Sequence, residues 1–467
     1  MTSPELKPGR VVATVLTTLS LGGVAMANKA IASPAPQDEV ISCPLDYMKG
    51  GAAAACEAPV KLPAACAPET NPGVAKQIHH YAFRVKLNDQ AETITDNHTD
   101  LTVPAVATAP HVIFGAADEA GIRNNWKQKR ESLLDILKDM GGSEVREVLY
   151  PYSFRDKNAL KLYDQSLQTI KRCGLSVYMT LALNREDWTP KKLARYFNLV
   201  AHHFKGKILQ WGIGNEPNLT NKDPKKNWLR PIHNMTLPQT YRVAYNIGRK
   251  VFEHVDKDNQ EDFGELSSLQ WGPKFARQVF TCAGMKVKKC PPIVMDGFAY
   301  HPYRPLSEYQ LGPGGQLPDF GRLVDPNSRV IGIDKLPTLD RFIHQMFLKK
   351  YIQTPEGTEP PIDLTEFGSI ATRLPDKVRA ALLTEARAAA CNDGRVGKFF
   401  QYMLDTPPGF VIKNGDNFNS AIIKPNGVLE RSTLTYIHSA HDQLTDCLAG
   451  DSVVPTPLTP PSAILGG

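Results

Sequence analysis

The chain shows two kinds of apolar spacing, which alternate from residue 111 onwards. Short apolar runs, such as residues 112–114 and 175–183, predict strands that are covered on both faces. Between such runs, apolar residues recur at every third or fourth position, which predicts amphipathic helices. One of these helical patterns is formed by Leu160, Tyr163, Leu167 and Ile170. Strands that alternate with helices in this way favour a parallel sheet.

Eight candidate strands can be counted in this alternating region. They begin near residues 112, 145, 175, 208, 263, 293, 362 and 397. Eight successive strand and helix units predict an α/β fold of the (β/α)8 TIM barrel type. We therefore expect residues 109–449 to form one barrel, with its active site at the carboxyl ends of the strands.

The segments on either side of the barrel have a different composition. Residues 33–108 begin with an Ala- and Pro-rich stretch that shows no sustained period, and we interpret them as an extension. Within it, Tyr81, Phe83, Val85 and Leu87 alternate with other residues, which predicts a small β element. Residues 450–467, rich in Pro and Thr, predict a disordered tail.

The N-terminus resembles a targeting segment. Lys7 and Arg10 precede an apolar run of 17 residues that ends in small side chains. This pattern predicts a secretory signal peptide over residues 1–32, and an uncleaved signal anchor is the alternative. No later stretch is apolar enough to cross a bilayer, so we expect a secreted or extracytoplasmic protein with no stable membrane span after signal cleavage.

Export places the eight cysteines in an oxidising compartment, where disulfides form. Cys282 and Cys290 flank a short loop and are the first expected pair. Cys391 and Cys447, on the last two predicted helices, are the second. The unassigned cysteines are Cys43, Cys56, Cys66 and Cys173.

Charge and motif content argue against several classes of partner. The net charge of +6 comes from scattered Lys and Arg residues, which does not indicate a nucleic-acid partner. No His-x-x-x-His, paired-Cys or Asp-rich motif is present, so no metal or other cofactor is expected. The Gly-rich residues 312–315 lack the strand, helix and lysine of a phosphate-binding loop.

Two short motifs carry the candidate chemistry. Residues 211–218 (Trp-Gly-Ile-Gly-Asn-Glu-Pro-Asn) place Glu216 after the fourth predicted strand, and residues 363–368 (Asp-Leu-Thr-Glu-Phe-Gly) place Glu366 at the end of the seventh. Cleavage of a glycosidic bond needs one carboxyl group that is protonated and another that is ionised, on either side of that bond. Glu216 and Glu366 are therefore the candidate catalytic pair.

A glycosylation sequon, Asn218-Leu219-Thr220, begins two residues beyond Glu216. A glycan on Asn218 would stand at the mouth of the proposed site. The sequon is therefore expected to be unused, or the chain comes from a source without N-glycosylation, such as a bacterium.

Three motifs in the order Gly-Asn-Glu-Pro-Asn, Tyr-His-Pro-Tyr and Thr-Glu-Phe-Gly resemble clan A of the glycoside hydrolases. The resemblance covers roughly residues 109–446 and is nearest to the cellulase-like family 5 and family 39 barrels. It implies that Glu216 is the acid/base, that Glu366 is the nucleophile and that Asn215 binds the 2-hydroxyl of the sugar.

The same resemblance extends to residues around the nucleophile. It implies that His301 and Tyr303 form the pair at the sixth strand, with Tyr303 orienting Glu366, and that Arg146 keeps Glu366 ionised. The chain departs from the clan at strands three and eight, which end without the usual histidine or tryptophan. Aromatic candidates for contact with sugar are Trp188, Trp211, Trp271 and Tyr300, of which we select Trp211 and Trp271 as substrate-binding residues.

The sequence thus predicts a secreted retaining glycoside hydrolase that cleaves β-glycosidic bonds of an oligo- or polysaccharide by double displacement. Endo action is the first expectation and exo action the alternative. A carbohydrate-binding or cell-surface protein without turnover is the alternative from another class. Retention predicts carboxyl groups about 5 to 5.5 Å apart, against about 6.5 to 9.5 Å for inversion.

Overall fold

A computed structural model of the chain describes residues 112–117, 134, 137–138, 140–184, 186–220, 227–287, 289–303, 330–369, 376–404 and 420–422. The expected signal peptide, the N-terminal extension with its β element, and the C-terminal tail lie outside these residues and stay predictions.

Ten strands occur among the described residues. They are β1 (Ile113–Ala117), β2 (Glu144–Leu149), β3 (Ser176–Leu181), β4 (Gln210–Ile213), β5 (Gln260–Ser267), β6 (Ile293–Val294), β7 (Phe298–His301), β8 (Ile352–Gln353), β9 (Ile362–Phe367) and β10 (Val396–Gln401). All except β6 and β8 form a closed parallel barrel, in which β10 pairs with β1. The predicted (β/α)8 barrel is confirmed.

Six α-helices of the described chain lie between these strands. They are α1 (Lys157–Arg172), α2 (Pro190–Phe204), α3 (Leu237–Val255), α4 (Gly272–Phe280), α5 (Leu336–Leu348) and α6 (Asp376–Asn392). Their starts follow from local chemistry: the Thr189 hydroxyl accepts a hydrogen bond from the Lys192 amide, and Thr236 and Gln239 form a capping box. None of the described helices is both long and apolar enough to cross a membrane.

The sixth predicted strand is divided in two by the structure. β6 pairs with β8 outside the barrel, whereas β7 joins the barrel wall between β5 and β9. Gly297 lies at the break, where an added Cβ would be 2.6 Å from Asp363 Oδ2 and 2.7 Å from Asp262 Oδ1. A side chain at this position would collide with these buried carboxyl groups, so the position leaves room only for glycine.

Those carboxyl groups belong to a polar layer in the N-terminal half of the barrel interior. Lys398 Nζ lies 3.4 Å from Glu144 Oε2 and also contacts Gln210. Burial, followed by the nearby Asp363, raises the pKa of Asp262 well above its ordinary value. The barrel interior below the site therefore holds several ionisable groups close to one buried lysine, Lys398.

One expected disulfide is confirmed by the structure. Cys282 and Cys290 are bonded, and the bond closes the loop that follows α4. Cys173 and Cys391 each take part in a further, separate disulfide bond. Cys447 lies outside the described residues, so its pairing with Cys391 stays a prediction.

Candidate active site

The two motif glutamates lie at the carboxyl ends of barrel strands. Glu366 is the last residue but one of β9, and Glu216 follows the end of β4 by three residues. Gly214 turns the chain with φ of +91°, a conformation that glycine adopts without steric cost. Glu216 itself has φ of +42°, which is uncommon outside glycine and recurs at functional sites.

The carboxyl groups of Glu216 and Glu366 face each other across a narrow gap. One oxygen of each and one ring nitrogen of His301 all lie within 4.8 Å of one another. The Glu216 side chain is 14% exposed and that of Glu366 is 7% exposed. Solvent therefore reaches the gap mainly on the Glu216 side.

Arg146, fully buried on β2, connects three of the strands that form the site. Its Nη1 lies 2.7 Å from Glu366 Oε1. Its Nη2 donates to Asn215 Oδ1 at 2.8 Å and to Glu265 Oε2 at 2.5 Å. The guanidinium thus stabilises Glu366 as a carboxylate and fixes the amide beside Glu216.

His301 and Tyr303 at the end of β7 complete the surroundings of Glu366. The Tyr303 hydroxyl donates to Glu366 Oε2 at 3.0 Å. His301 Nδ1 lies 3.3 Å from Glu216 Oε1 and 3.4 Å from Glu366 Oε2. Burial lowers the pKa of His301, but Glu366, Glu216 and Glu265 outweigh burial and raise the pKa to about 9. The imidazole is therefore protonated at neutral pH.

Glu265, on β5, is a site residue that the sequence did not single out. It is fully buried, its Oε2 lies 3.1 Å from His301 Nε2, and its Oε1 accepts from the Thr180 hydroxyl at 2.9 Å. Burial raises the pKa of Glu265, yet Arg146 and His301 hold it at about 2. A Cβ at Gly212 would lie 2.2 Å from Glu265 Oε1, so this glycine gives the carboxylate its space.

Of the remaining candidates, Asn215 lies within the cluster and the aromatic residues lie apart from it. Trp211 is 1% exposed, packs against Phe252 with ring centroids 4.5 Å apart, and donates from Nε1 to Asn259 Oδ1 at 3.0 Å. Its indole fills the layer between β4 and the helices, so we leave Trp211 out of the proposed sugar contacts. Trp188 and Tyr300 are also buried.

Trp271 lies in a different environment, just before the start of α4, where the residue is 42% exposed. It lines a surface groove of about 430 Å³ together with Asn218, Gln270 and Lys274. Asn218, one of the residues that line the groove, is two residues from Glu216 in the sequence. A sugar contact at Trp271 remains a prediction.

A metal ion is one alternative occupant of the gap, since Glu216, His301 and Glu366 each direct a ligand atom towards it. Two contacts of Glu366 disfavour it. Arg146 Nη1 lies 2.7 Å from Glu366 Oε1 and neutralises its charge, and the Tyr303 hydroxyl donates to Glu366 Oε2, so both oxygens of this carboxylate are already engaged. The donor set is better suited to moving a proton than to holding a cation.

Comparisons with known proteins agree with the barrel. No protein-family model and no curated protein matches the chain. Among solved structures, a family 39 glycoside hydrolase from the gut symbiont Bacteroides cellulosilyticus WH2 is similar with a TM-score of 0.51 and 14% identity, over 75% of this chain and 69% of that one. An exo-β-1,4-mannosidase from Opitutaceae bacterium strain TAV5 is similar with a TM-score of 0.50 and 16% identity, over 77% of this chain and 63% of that one.

The chain therefore has the (β/α)8 barrel fold of these two proteins, and the resemblance stated from the motifs is confirmed for the fold. The chain spans less than two thirds of the length of the mannosidase. At such low identity the likeness extends to the fold alone.

The sequon asparagine is part of the structure that joins the β4 and β5 loops. Asn218 Nδ2 donates to the Ser267 carbonyl at 2.8 Å, and its Oδ1 accepts from the Ser267 amide at 2.9 Å. We expect Asn218→Asp to lower the free energy of unfolding by about 1 to 3 kcal/mol, because an acceptor would then face a buried carbonyl. Urea denaturation measures this loss.

Thr220→Val is the matched control, since it also removes the sequon but changes only an exposed contact with Gln270. Its unfolding free energy should stay within about 0.5 kcal/mol of the wild type. Equal losses in both variants would contradict a structural role for Asn218.

Proposed function

We propose that this protein is a retaining glycoside hydrolase that acts on β-linked oligo- or polysaccharides. The observation that carries the proposal is the separation of Glu216 and Glu366, whose facing oxygens lie within 4.8 Å of each other. Retaining enzymes hold their carboxyl groups about 5 to 5.5 Å apart, whereas inverting enzymes need about 6.5 to 9.5 Å to admit a water. The shorter spacing supports direct attack by a carboxylate.

In the first step, Glu366 attacks the anomeric carbon and forms a glycosyl ester as the glycosidic bond breaks. Glu216 gives its proton to the departing oxygen, so the leaving sugar departs as a neutral alcohol. Arg146 and Tyr303 hold Glu366 by its two separate oxygens, which presents the carboxylate in one orientation.

In the second step, Glu216 acts as a base. Ester formation removes the negative charge of Glu366, and Glu216 then takes a proton from water, whose oxygen attacks the anomeric carbon and releases Glu366. His301 Nδ1 lies 3.3 Å from Glu216 Oε1 and, as a cation, stabilises the carboxylate that the first proton transfer leaves on Glu216 and that acts as the base in the second step. Two inversions at one carbon give net retention.

Export and endo action are parts of the proposal that rest on the sequence. A signal peptide would bring the enzyme to polymers outside the cell, where an open cleft accepts an internal bond. Exo action is the alternative, and the similar mannosidase is described as an exo-acting enzyme. Products from a reduced oligosaccharide separate the two, because exo action releases one sugar at a time from one end.

The test is hydrolysis of aryl β-glycosides and of β-linked mannans, glucans and xylans, followed by proton NMR of the first product. We expect the β-anomer to appear before mutarotation. An initial α-anomer would overturn retention. Tight binding of a glycan without any turnover would support the non-catalytic alternative instead.

A further inference from the structure

We propose that Glu265 is a positioning residue, which holds His301 as a cation between Glu216 and Glu366 and fixes Arg146 against Glu366. The inference rests on the proposed function, since it assigns a role within the same site. Its central measurement does not require turnover, however, so the two proposals can fail separately.

The backbone of β5 is shaped to direct this glutamate into the barrel. Gly264 has φ of +118° and Glu265 has φ of +48°, and the pairing of β5 with β7 shifts register between Phe263 and Leu266. A Cβ at Gly264 would lie 2.5 Å from the Ala299 carbonyl oxygen, so a larger residue would collide there. An irregularity of this kind changes the direction of a side chain. A glutamate in the left-handed region of backbone conformation carries an energetic cost, which suggests a function.

The side-chain oxygens and the backbone carbonyl oxygen of Glu265 contact groups on other strands or on the loop that follows β4. Oε2 contacts Arg146 on β2 and His301 on β7, and Oε1 accepts from Thr180 on β3. The backbone carbonyl accepts from the amide of Glu216 at 2.9 Å. One residue therefore supports the acid/base through its backbone and the surroundings of the nucleophile through its side chain.

The charges explain why a carboxylate is needed at this position. With Glu216 protonated, the carboxylates of Glu265 and Glu366 balance the cations of Arg146 and His301 in a buried site. Without Glu265, two buried cations would face one carboxylate, which is unfavourable in a medium of low polarity. His301 would release its proton, since Arg146 cannot do so in the accessible pH range.

Four groups act on His301 from the elements packed around it. Glu216 follows β4, Glu265 is on β5, Glu366 is on β9, and Tyr303 lies beyond His301 itself with its hydroxyl directed to Glu366. Of the three carboxylates, Glu265 alone lies on the Nε2 side, away from the reacting groups. It is therefore the one that can keep the imidazole charged while Glu216 exchanges its proton.

The first test follows the ring nitrogens of His301 by ¹⁵N NMR in the wild type, with the signal assigned by its absence in His301→Gln. We expect a midpoint near pH 9, the raised pKa described above. In Glu265→Gln the midpoint should fall by at least about one pH unit, because an adjacent opposite charge has been removed. A wild-type midpoint near the ordinary histidine value of about 6.5 overturns the proposal by itself, even if the variant does not fold.

Thr180→Val is the matched control, since it removes a hydrogen bond to the other oxygen of Glu265 and leaves the charge in place. The midpoint of His301 should stay within about 0.3 pH units of the wild type in this variant. A role for Glu265 that is only structural predicts equal midpoints in wild type, Glu265→Gln and Thr180→Val, and that result would contradict the proposal.

The kinetic readout separates positioning from substrate binding. In Glu265→Gln we expect kcat for an aryl β-glycoside to fall by about 10 to 100-fold with little change in KM, because proton transfer is affected more than sugar binding. A rise in KM alone would assign Glu265 to substrate binding and overturn the proposed role.

Discussion

Replacing Glu366 by alanine should reduce hydrolysis of aryl β-glycosides by at least about 10³-fold, because the ester intermediate cannot form. Added azide should restore part of the rate, since this small anion fits the space that the carboxylate leaves. It attacks the anomeric carbon in a single displacement, which inverts the configuration and yields an α-glycosyl azide. Gas or liquid chromatography and NMR of the product measure rate and configuration together.

The control for this experiment is Glu253→Gln, which changes an exposed glutamate on α3 and should keep the wild-type rate. Glu216→Ala provides the second comparison. Its first step should stay fast with a dinitrophenyl leaving group, which needs no proton, so a glycosyl-enzyme should accumulate on Glu366. A fully active Glu366→Ala variant would show that another group is the nucleophile.

Replacing Arg146 by methionine should destabilise the fold and also reduce the activity. The substitution leaves the carboxylates of Glu265 and Glu366 buried without their cation, and breaking such a pair costs about 3 to 5 kcal/mol. Urea denaturation at pH 7 should show this loss, whereas Arg195→Met, at an exposed position of α2, should change stability by less than about 0.5 kcal/mol.

The loss of unfolding free energy in Arg146→Met should depend on pH in a defined direction. In the wild type the pKa of Glu265 is depressed from 4.5 to about 2, so the stability gained from its ionised form is present above pH 4.5 and is lost as the pH falls towards 2. Without Arg146, burial favours the protonated form of Glu265. The difference in unfolding free energy between the wild type and Arg146→Met should therefore become smaller as the pH falls from 4.5 towards 2. A difference that stays constant would contradict the assignment of charges.

The strand order and the positions of Glu216 and Glu366 could be predicted because both signals are local in sequence. Buried parallel strands produce continuous apolar runs, and a glutamate just after such a run lies at the carboxyl end of the barrel. The short separation of Cys282 and Cys290 is equally local, and their bond is confirmed.

Glu265 and Trp211 show where sequence reasoning reaches its limit. The role of Glu265 depends on a positive φ and on contacts with three other strands, none of which is visible in its own segment. Trp211 belongs to a strand that is buried on both faces. The apolar residues beside it in the sequence therefore do not show whether its side chain points into the barrel interior or towards the helices. Gly212 faces the interior, and the alternation of side chains therefore turns Trp211 outwards.

The contact of Arg146 on β2 with Glu366 on β9 also makes activity a reporter of folding. These two strands come together only when β10 pairs with β1 and the barrel closes. Trp211, by contrast, packs against α2 and α3, which adjoin β4 in the sequence. In a variant that keeps Trp211 and has the other four tryptophans replaced by phenylalanine, we expect fluorescence to recover first during refolding and hydrolysis to recover later, so that the delay between the two measures the time of barrel closure.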